Sequence, residues 1–478
     1  MMNDQKRLHP IVIALRFLRL LRELLFPIII FVFFGGNRSF GLYSLLGAGL
    51  VIVLLLIFSV LWWYRFSYRI EEDELRVEYG VLIQKKRYIH REKIQSINVS
   101  QGIVQRVFNL VKIQVETAGG GHEAEVVLAA ITRTDASQLQ TTLMNKANLT
   151  KDTGHQLPNE NHIDDVTRFT LSTKDLLIAA TTSGRIGVIL SALAAFSSQI
   201  DEFIPEDFYM TAYEQFVHLG TIIITGLVIA FLIIAWLLSI LGSVLKYGGF
   251  SIEKQGDDLI ISQGILEKKQ ITIPVRKIQA VRIQESIIRE PLGYVTVYVE
   301  SAGSVSEKSE DFSTLLFPLL HRKKLKSFLT DLLPDYCEQV NIHTLPERSK
   351  FRYIFRLVLP AIVIFVPVAI TIRPWGALTL AIIPILYSLA IAQYNAAGVG
   401  FSNTLYTSIS RAISKTTYIV PKKKIQSLQK QQSKFQQRKQ LSTVKISIMS
   451  KSSIGKQARV VDLDNTYVEE VLTWFSRK

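Results

Sequence analysis

The sequence has one cysteine, Cys337. A single thiol excludes an intrachain disulfide framework and a Cys-rich zinc site. Its acidic neighbours Asp335 and Glu338 give no charge that would lower a thiol pKa, so it reads as incidental. The eight histidines are scattered without metal-ligand spacing, and no H-E-x-x-H, G-x-S-x-G or G-x-x-x-x-G-K-[ST] pattern occurs. His9 and His90 lack a second ligand or an obvious carboxylate partner and read as structural. With no residue set able to run a reaction, the expectation is a protein that is not an enzyme and needs no cofactor or metal. Glycine (26) and proline (14) are too sparse in 478 residues for a fibrous or low-complexity chain, and 48% apolar residues exclude disorder as the main state.

What the sequence has instead is apolar residues in blocks. A mean hydropathy of +0.25 alongside 55 Lys and Arg requires such segregation, which a bilayer selects. Six stretches are long enough for a core about 30 Å thick: near 13–34, 42–63, 176–198, 219–245, 354–372 and 376–392. They fall into three pairs. The first must include Arg16, Arg19 and Arg22, whose stems can snorkel to the headgroups. These arginines lie inside the apolar stretch, which predicts an anchor rather than a cleaved signal peptide. Loops within pairs carry almost no Lys or Arg, and the middle one is acidic (Asp201, Glu202, Glu206, Asp207, Glu214), whereas the segments between pairs carry dozens of basic residues. The positive-inside bias then places both termini and all large polar segments in the cytoplasm.

Residues 80–119 align without a gap on 264–303, with 13 of 40 positions identical. The shared core runs from Gly80-Val81-Leu82 through Lys93-Ile94-Gln95 to Glu116-Thr117-Ala118-Gly119, and from Gly264-Ile265-Leu266 through Lys277-Ile278-Gln279 to Glu300-Ser301-Ala302-Gly303. A third, divergent copy keeps Lys424-Ile425-Gln426-Ser427 but has Ser447–Ser450 at the Glu-Thr/Ser-Ala-Gly position. In the first copy, short β-rich runs at 66–70, 74–79, 82–89, 94–99, 111–117 and 124–128 are separated by turn residues. Closing amphipathic helices are expected at 134–146, 319–333 and 465–475, the last with Asp464 as N-cap.

The predicted fold class is therefore membrane α-helical plus all-β, a triplicated unit of two spans and a soluble β-rich domain. The expected division is transmembrane pair 1 at 1–63, domain 1 at 64–146, a linker at 147–170, pair 2 at 171–245, domain 2 at 246–333, a linker at 334–352, pair 3 at 353–394 and domain 3 at 395–478. A helix pair, a strand-rich unit with Lys-Ile-Gln-Ser/Ala after a Gly-Val/Ile-Leu hairpin, and a closing helix resemble the bacterial pleckstrin-homology-like (bPH2) membrane proteins. The resemblance implies six transmembrane helices in three pairs, each followed by a cytoplasmic PH-like seven-stranded β-sandwich with a C-terminal capping helix. It also implies a bacterial plasma-membrane location and a smaller one-module bPH2 membrane protein as partner. One departure is plain: the loops between the first two strands read Glu71-Glu72-Asp73-Glu74 and Gln255-Gly256-Asp257-Asp258, and acidic loops repel phosphate headgroups.

Charge is the strongest remaining signal. Residues 400–461 hold thirteen Lys and Arg and no Asp or Glu, whereas 65–131 hold ten against nine and 246–312 nine against ten. Lys422, Lys423, Lys424, Lys430, Lys434, Arg438 and Lys439 form the candidate surface for anionic phospholipid or an acidic protein; nucleic acid is not expected, since no stacking motif accompanies the lysines. The bland reading is a solvated basic face obeying the positive-inside bias. Arg185, in the polar run Thr181–Arg185 of the third stretch, is the candidate intramembrane site. The expected function is a non-enzymatic scaffold, a homo- or hetero-oligomer serving envelope maintenance or resistance to membrane-active toxins. A transporter or exporter subunit is the alternative, resting on Arg185 and on Pro360, Pro367 and Pro384 as helix breaks.

Overall fold

A computed structural model describes residues 5–34, 41–71, 74–117, 125–144, 167–182, 220–301, 313–371, 375–449 and 456–477. The chain forms two compact units, one holding residues up to 164 together with Glu267–Ile273, the other holding most of the remainder.

The first unit opens with helices α1 (Ile11–Phe34) and α2 (Gly41–Arg65), which pack on each other. Strands β1 (Ser67–Glu71), β2 (Glu74–Tyr79) and β3 (Lys85–His90) form an antiparallel sheet. After a one-turn corner come β4 (Ile94–Gln101), α3 (Ile103–Val107), β5 (Leu110–Thr117), β6 (Val126–Thr132) and α4 (Arg133–Met144). Leu75, Val77, Ile97, Ile113, Val115, Leu128 and Leu139 build the core, and Leu8 and Val12 join it from the start of the chain. The Trp63 indole donates to the Leu8 carbonyl at 2.7 Å, locking the entrance of α1 to the exit of α2. Arg16 lies over the Trp62 ring, 4.0 Å from its centroid, so its stem runs along aromatic surface as a snorkelling residue does.

In the second copy, β7 (Arg168–Thr170) pairs with the first strand after the spans, as an isolated Lys6–Tyr68 bridge does in the first copy. Helix α5 (Thr173–Thr181) packs on α6 (Gly220–Tyr247). Then follow β8 (Ser251–Gln255), β9 (Asp258–Gln263), β10 (Lys268–Pro274), β11 (Ile278–Glu285), β12 (Tyr294–Ser301), β13 (Ser313–His321) and α7 (Leu325–Leu332). Phe317 and Phe328 meet edge to face, with Phe250 and Phe169 against them. The third copy has β14 (His343–Thr344), α8 (Lys350–Thr371), α9 (Ile382–Ala396), β15 (Gly398–Phe401), β16 (Leu405–Arg411), β17 (Lys415–Pro421), β18 (Ile425–Gln431), α10 (Lys434–Gln437), β19 (Leu441–Ile448), β20 (Lys456–Asp464) and α11 (Asn465–Ser476). Asp464 caps α11, accepting from the Thr466 amide at 3.0 Å, as its sequence position predicts.

Copies two and three each show seven strands and a closing helix, but their sheets do not stop at copy boundaries. β17 of copy three pairs antiparallel with β11 of copy two, Lys415 opposite Glu285 through Ile419 opposite Val281. β10, the corresponding strand of copy two, pairs with β4 of copy one, Lys268 opposite Gln101 through Thr272 opposite Ile97. The two junctions have the same register in repeat coordinates. Third strands thus complete the sheet of the copy before them.

Several boundaries differ from expectation. Leu82 and Ile83 lie in the β2–β3 turn, 92% and 74% exposed, because Gly80 at φ +118° ends β2 first. Leu319 and Leu320 belong to β13, packing into its sheet, and the helix starts only at Leu325. The polar stretch 334–352 is ordered: Tyr336 is buried and its hydroxyl donates to the Ile278 carbonyl at 3.0 Å. Among the described residues, four segments are long and apolar enough to cross a membrane, Leu46–Arg65, Ile229–Tyr247, Glu347–Thr371 and Thr379–Ala396. The count of six in three pairs is not established: α1 carries Arg16, Arg19, Arg22 and Glu23, and the third stretch lies mostly outside the described residues. Pro360 and Pro367 sit inside a continuous α8, and Pro384 falls in the first turn of α9, where proline is tolerated.

Candidate functional site

The basic residues of copy three are distributed by one local device. Pro421 ends β17, Lys422–Lys424 make a single 3-10 turn, and Ile425 begins β18. The same corner is Arg91–Lys93 in copy one and Val275–Lys277 in copy two. The three lysine side chains diverge because a turn of three residues sends them in three directions. Lys422 lies over the Trp474 ring, 5.1 Å from its centroid, and its ammonium donates to the Arg477 carbonyl. Lys423 is exposed. Lys424 reaches back to the Arg276 carbonyl at 2.8 Å, and burial, with Lys423 beside it, pulls its pKa below the usual lysine range.

Lys422, Lys423 and Arg477 line a cleft of about 570 Å³ with Asp335, Asn403 and Thr404. Three cations against one carboxylate over an apolar wall suit an anionic group with an attached hydrocarbon. Of the other expected residues, Lys430 is engaged by Glu469 on α11, while Lys434, Arg438 and Lys439 are exposed around α10. The triple-lysine corner therefore splits between a cleft and a tie to copy two.

A second cleft, about 540 Å³, was not legible as a site. Arg352, Arg356, Arg459, Gln432, Ser433 and Gln436 line it. Its floor is organised by Asp462, fully buried at φ +62°, which accepts from Arg352 Nε at 3.0 Å, Arg356 Nη2 at 2.7 Å and Gln436 Nε2 at 2.8 Å. This carboxylate fastens the first turns of α8 to β20. The one signal available was the i, i+4 spacing of Arg352 and Arg356 ahead of an apolar span.

Arg185 lies outside the described residues. Of its polar run, Thr182 accepts from Arg289 Nε at 2.9 Å, and Arg289 Nη2 donates to the Ala179 carbonyl at 3.1 Å. This part of the run therefore meets the second β domain. In the acidic first loops, Glu71 and Glu74 are paired with Arg69, Arg76 and His90. Asp258 is raised above the usual carboxylate range by burial and by Asp257. The corresponding loop of copy three has no acid of its own; Ser402 and Thr404 donate to Glu338, each at 2.6 Å.

Apolar helices followed by strand-rich units with a closing helix, repeated along one chain, define a multi-pass membrane protein built from PH-like domains. The chain belongs to the bacterial PH domain family, bPH_2, which it matches over residues 24–147, 209–334 and 354–478. Over its whole length it is similar to the UPF0699 transmembrane protein YdbT of Bacillus subtilis (strain 168), 37% identical over 488 residues that cover 100% of this chain and 99% of that protein.

Proposed function

We propose that the protein is a non-enzymatic scaffold of the bacterial plasma membrane, with both termini and its three PH-like units in the cytoplasm. It binds a smaller one-module bPH2 membrane protein and the anionic inner leaflet, in the service of envelope maintenance or resistance to membrane-active toxins. The observation that carries this reading is the joining of copies by strand pairing, β17 on β11 and β10 on β4. A chain that assembles its own domains edge to edge has the means to assemble others. The cleft of Lys422, Lys423 and Arg477 supplies the charge for an anionic headgroup, at about 1 kcal/mol per lysine near such a surface.

Two measurements on the full chain test it. Mild-detergent extraction followed by mass spectrometry should return a smaller PH-like membrane protein in fixed proportion. Native mass spectrometry with added short-chain phosphatidylglycerol should show binding that weakens roughly thirtyfold in Lys422→Gln/Lys423→Gln, the equivalent of about 2 kcal/mol. Retention of neither partner nor anionic lipid would refute the scaffold.

A further inference from the structure

Three turns at one position of the repeat share a tie to the apolar helices. The strand pairs β2–β3, β9–β10 and β16–β17 close through Val81-Leu82-Ile83, Ile265-Leu266-Glu267 and Ala412-Ile413-Ser414. In each copy the first residue of the turn is hydrogen-bonded to the last turn of the helix that leads into the domain. Arg65, which ends α2, donates Nη1 to the Val81 carbonyl at 3.1 Å. The Ile265 amide donates to the Leu245 carbonyl of α6 at 3.0 Å, satisfying one of the orphan acceptors at that helix end. Gln393 of α9 donates Nε2 to the Ala412 carbonyl at 2.7 Å. Gly248 allows the approach in copy two, since a Cβ there would lie 2.4 Å from the Ile265 side chain. All three helix ends belong to segments apolar enough to cross a membrane.

The second position of the turn is apolar and bare in every copy: Leu82, Leu266 and Ile413 are 92%, 48% and 61% exposed. A second set lies on the link from the fourth strand to the fifth, where Val104, Ile288 and Phe435 share one repeat position and are 40–72% exposed. In copies two and three the residue that follows ties this link to the first helix of the pair. Arg289 donates to Thr182 Oγ1 at 2.9 Å and to the Ala179 carbonyl at 3.1 Å, at the end of α5. Gln436 donates to Asp462, which holds Arg352 and Arg356 of α8. These two β domains thus stand on both of their helices, and each point of support carries an exposed apolar side chain.

What covers these side chains follows from where they are held. The three turns sit beside three different helix ends, which carry Trp62, Trp63, Tyr247 and Tyr394, residues of the type that marks a membrane–water interface. The bilayer is the one surface that all three helix ends share. Each turn offers two or three side chains, against the roughly 20 residues a side of a stable protein interface, and this holds for a second copy as for any other chain. A wedge that small suffices where the spans already hold the domain at the surface and little translational freedom is left to lose.

We propose that Leu82, Leu266 and Ile413, together with Val104, Ile288 and Phe435, are feet that dip into the bilayer beside the spans and seat each β domain on it. Their ligand is the margin of the hydrocarbon just beneath the headgroups, the layer that apolar side chains of interfacial segments enter. The inference goes beyond the scaffold reading and does not use the lysine cleft. Ile413 and Lys422 lie at opposite ends of β17, seven residues or about 23 Å long, so a lipid in that cleft is one taken up singly, apart from the leaflet on which the domain sits.

Depth-resolved quenching of the full chain tests it. Bimane is attached to Leu82→Cys, Ile413→Cys and Phe435→Cys, each in a Cys337→Ser background and reconstituted in vesicles of phosphatidylethanolamine and phosphatidylglycerol. Lys423→Cys, at the far end of its domain, is the aqueous reference. The three labels should be quenched at least about threefold more than the Lys423 label by a doxyl group high on the acyl chain, and less by iodide present on both sides of the vesicle. They should also be quenched more by that doxyl group than by a nitroxide on the headgroup; the reverse order would put the turns above the hydrocarbon and overturn the proposal. Shielding from lipid and iodide alike would mean that protein covers the turns, and full access to iodide would mean that nothing does; either result would overturn it. A lipid-quenched label at Lys423 with the three turns in water would mean that the opposite end of the domain meets the leaflet, which would overturn the feet and leave the scaffold standing.

Discussion

Asp462 is the perturbation with the sharpest expected consequence. Its carboxylate has no exposed surface and receives Arg352, Arg356 and Gln436 at 2.7–3.0 Å. Asp462→Asn preserves the shape and tolerates the left-handed backbone at φ +62°. It replaces the anionic acceptor by a neutral one, so each remaining bond is worth about 1 kcal/mol less, and it points an N–H at one guanidinium. Arg356 is 47% exposed and can rehydrate, so the sum is about 2 kcal/mol rather than the 3–5 kcal/mol of a fully buried broken pair. Asp462→Ala deletes all three bonds and adds about 1 kcal/mol of strain at positive φ, and Asp462→Gly should remove the strain alone. Thermal unfolding of the full chain in lipid nanodiscs, followed by intrinsic fluorescence, reads the series. The order wild type, Asn, Gly, Ala is expected, and an Asn variant within 0.5 °C of wild type would refute the idea that this carboxylate anchors α8 to its domain.

Gly80→Ala should destabilise the first β domain by roughly 2 kcal/mol or more, since a Cβ there would lie 2.0 Å from the Ile83 carbonyl oxygen; hydrogen exchange localised to β2 and β3 checks it. Tyr406→Phe should leave stability unchanged or raise it by about 1 kcal/mol, because the buried hydroxyl has no hydrogen-bond partner among the described residues; a fall in the denaturant midpoint would contradict this. Glu290 is held below the usual carboxylate range by its hydrogen bond to Arg411, against a smaller opposing effect of burial. A depressed folded pKa gives stability that is present above the unfolded value near 4.5 and disappears as pH falls through the lower folded value. Wild type should therefore exceed Glu290→Gln in stability at pH 7 and converge with it in acid, as an unfolding series over pH would record.

Much of the β architecture was readable because the repeats preserve backbone necessities. Gly80 and Gly264 both adopt positive φ ahead of a hairpin, and Lys-Ile-Gln marks the corner into the fourth strand each time. The pairing of copies was not readable. Strand register between copies depends on which edge meets which, and β4 gives no hydrophobic hint: Gln95, Ser96, Asn98 and Ser100 are buried polar residues. Ser96 Oγ and Asn98 Nδ2 donate to Glu116, at 2.6 and 2.7 Å, a contact a linear pattern does not announce. Leu82 and Ile83 misled in the opposite sense, because an apolar pair beside a strand looks like its continuation. The triple-lysine corner was visible as charge, but its division among a cleft, a ring and a carbonyl depends on Trp474, Arg477 and Arg276, brought in from distant parts of the chain.

Strand pairing across copies also sets a timetable. Glu285 of β11 leaves the ribosome about 130 residues ahead of Lys415, its partner on β17. At 5–20 residues per second, the sheet of copy two waits roughly 7–26 s for its last neighbours. During that interval its edge displays Gln279, Arg282 and Gln284 rather than an unbroken apolar row, and β4 likewise displays Gln95, Asn98 and Ser100. The polar residues that the finished fold must satisfy internally are the ones that keep each nascent edge hydrated until the next copy arrives.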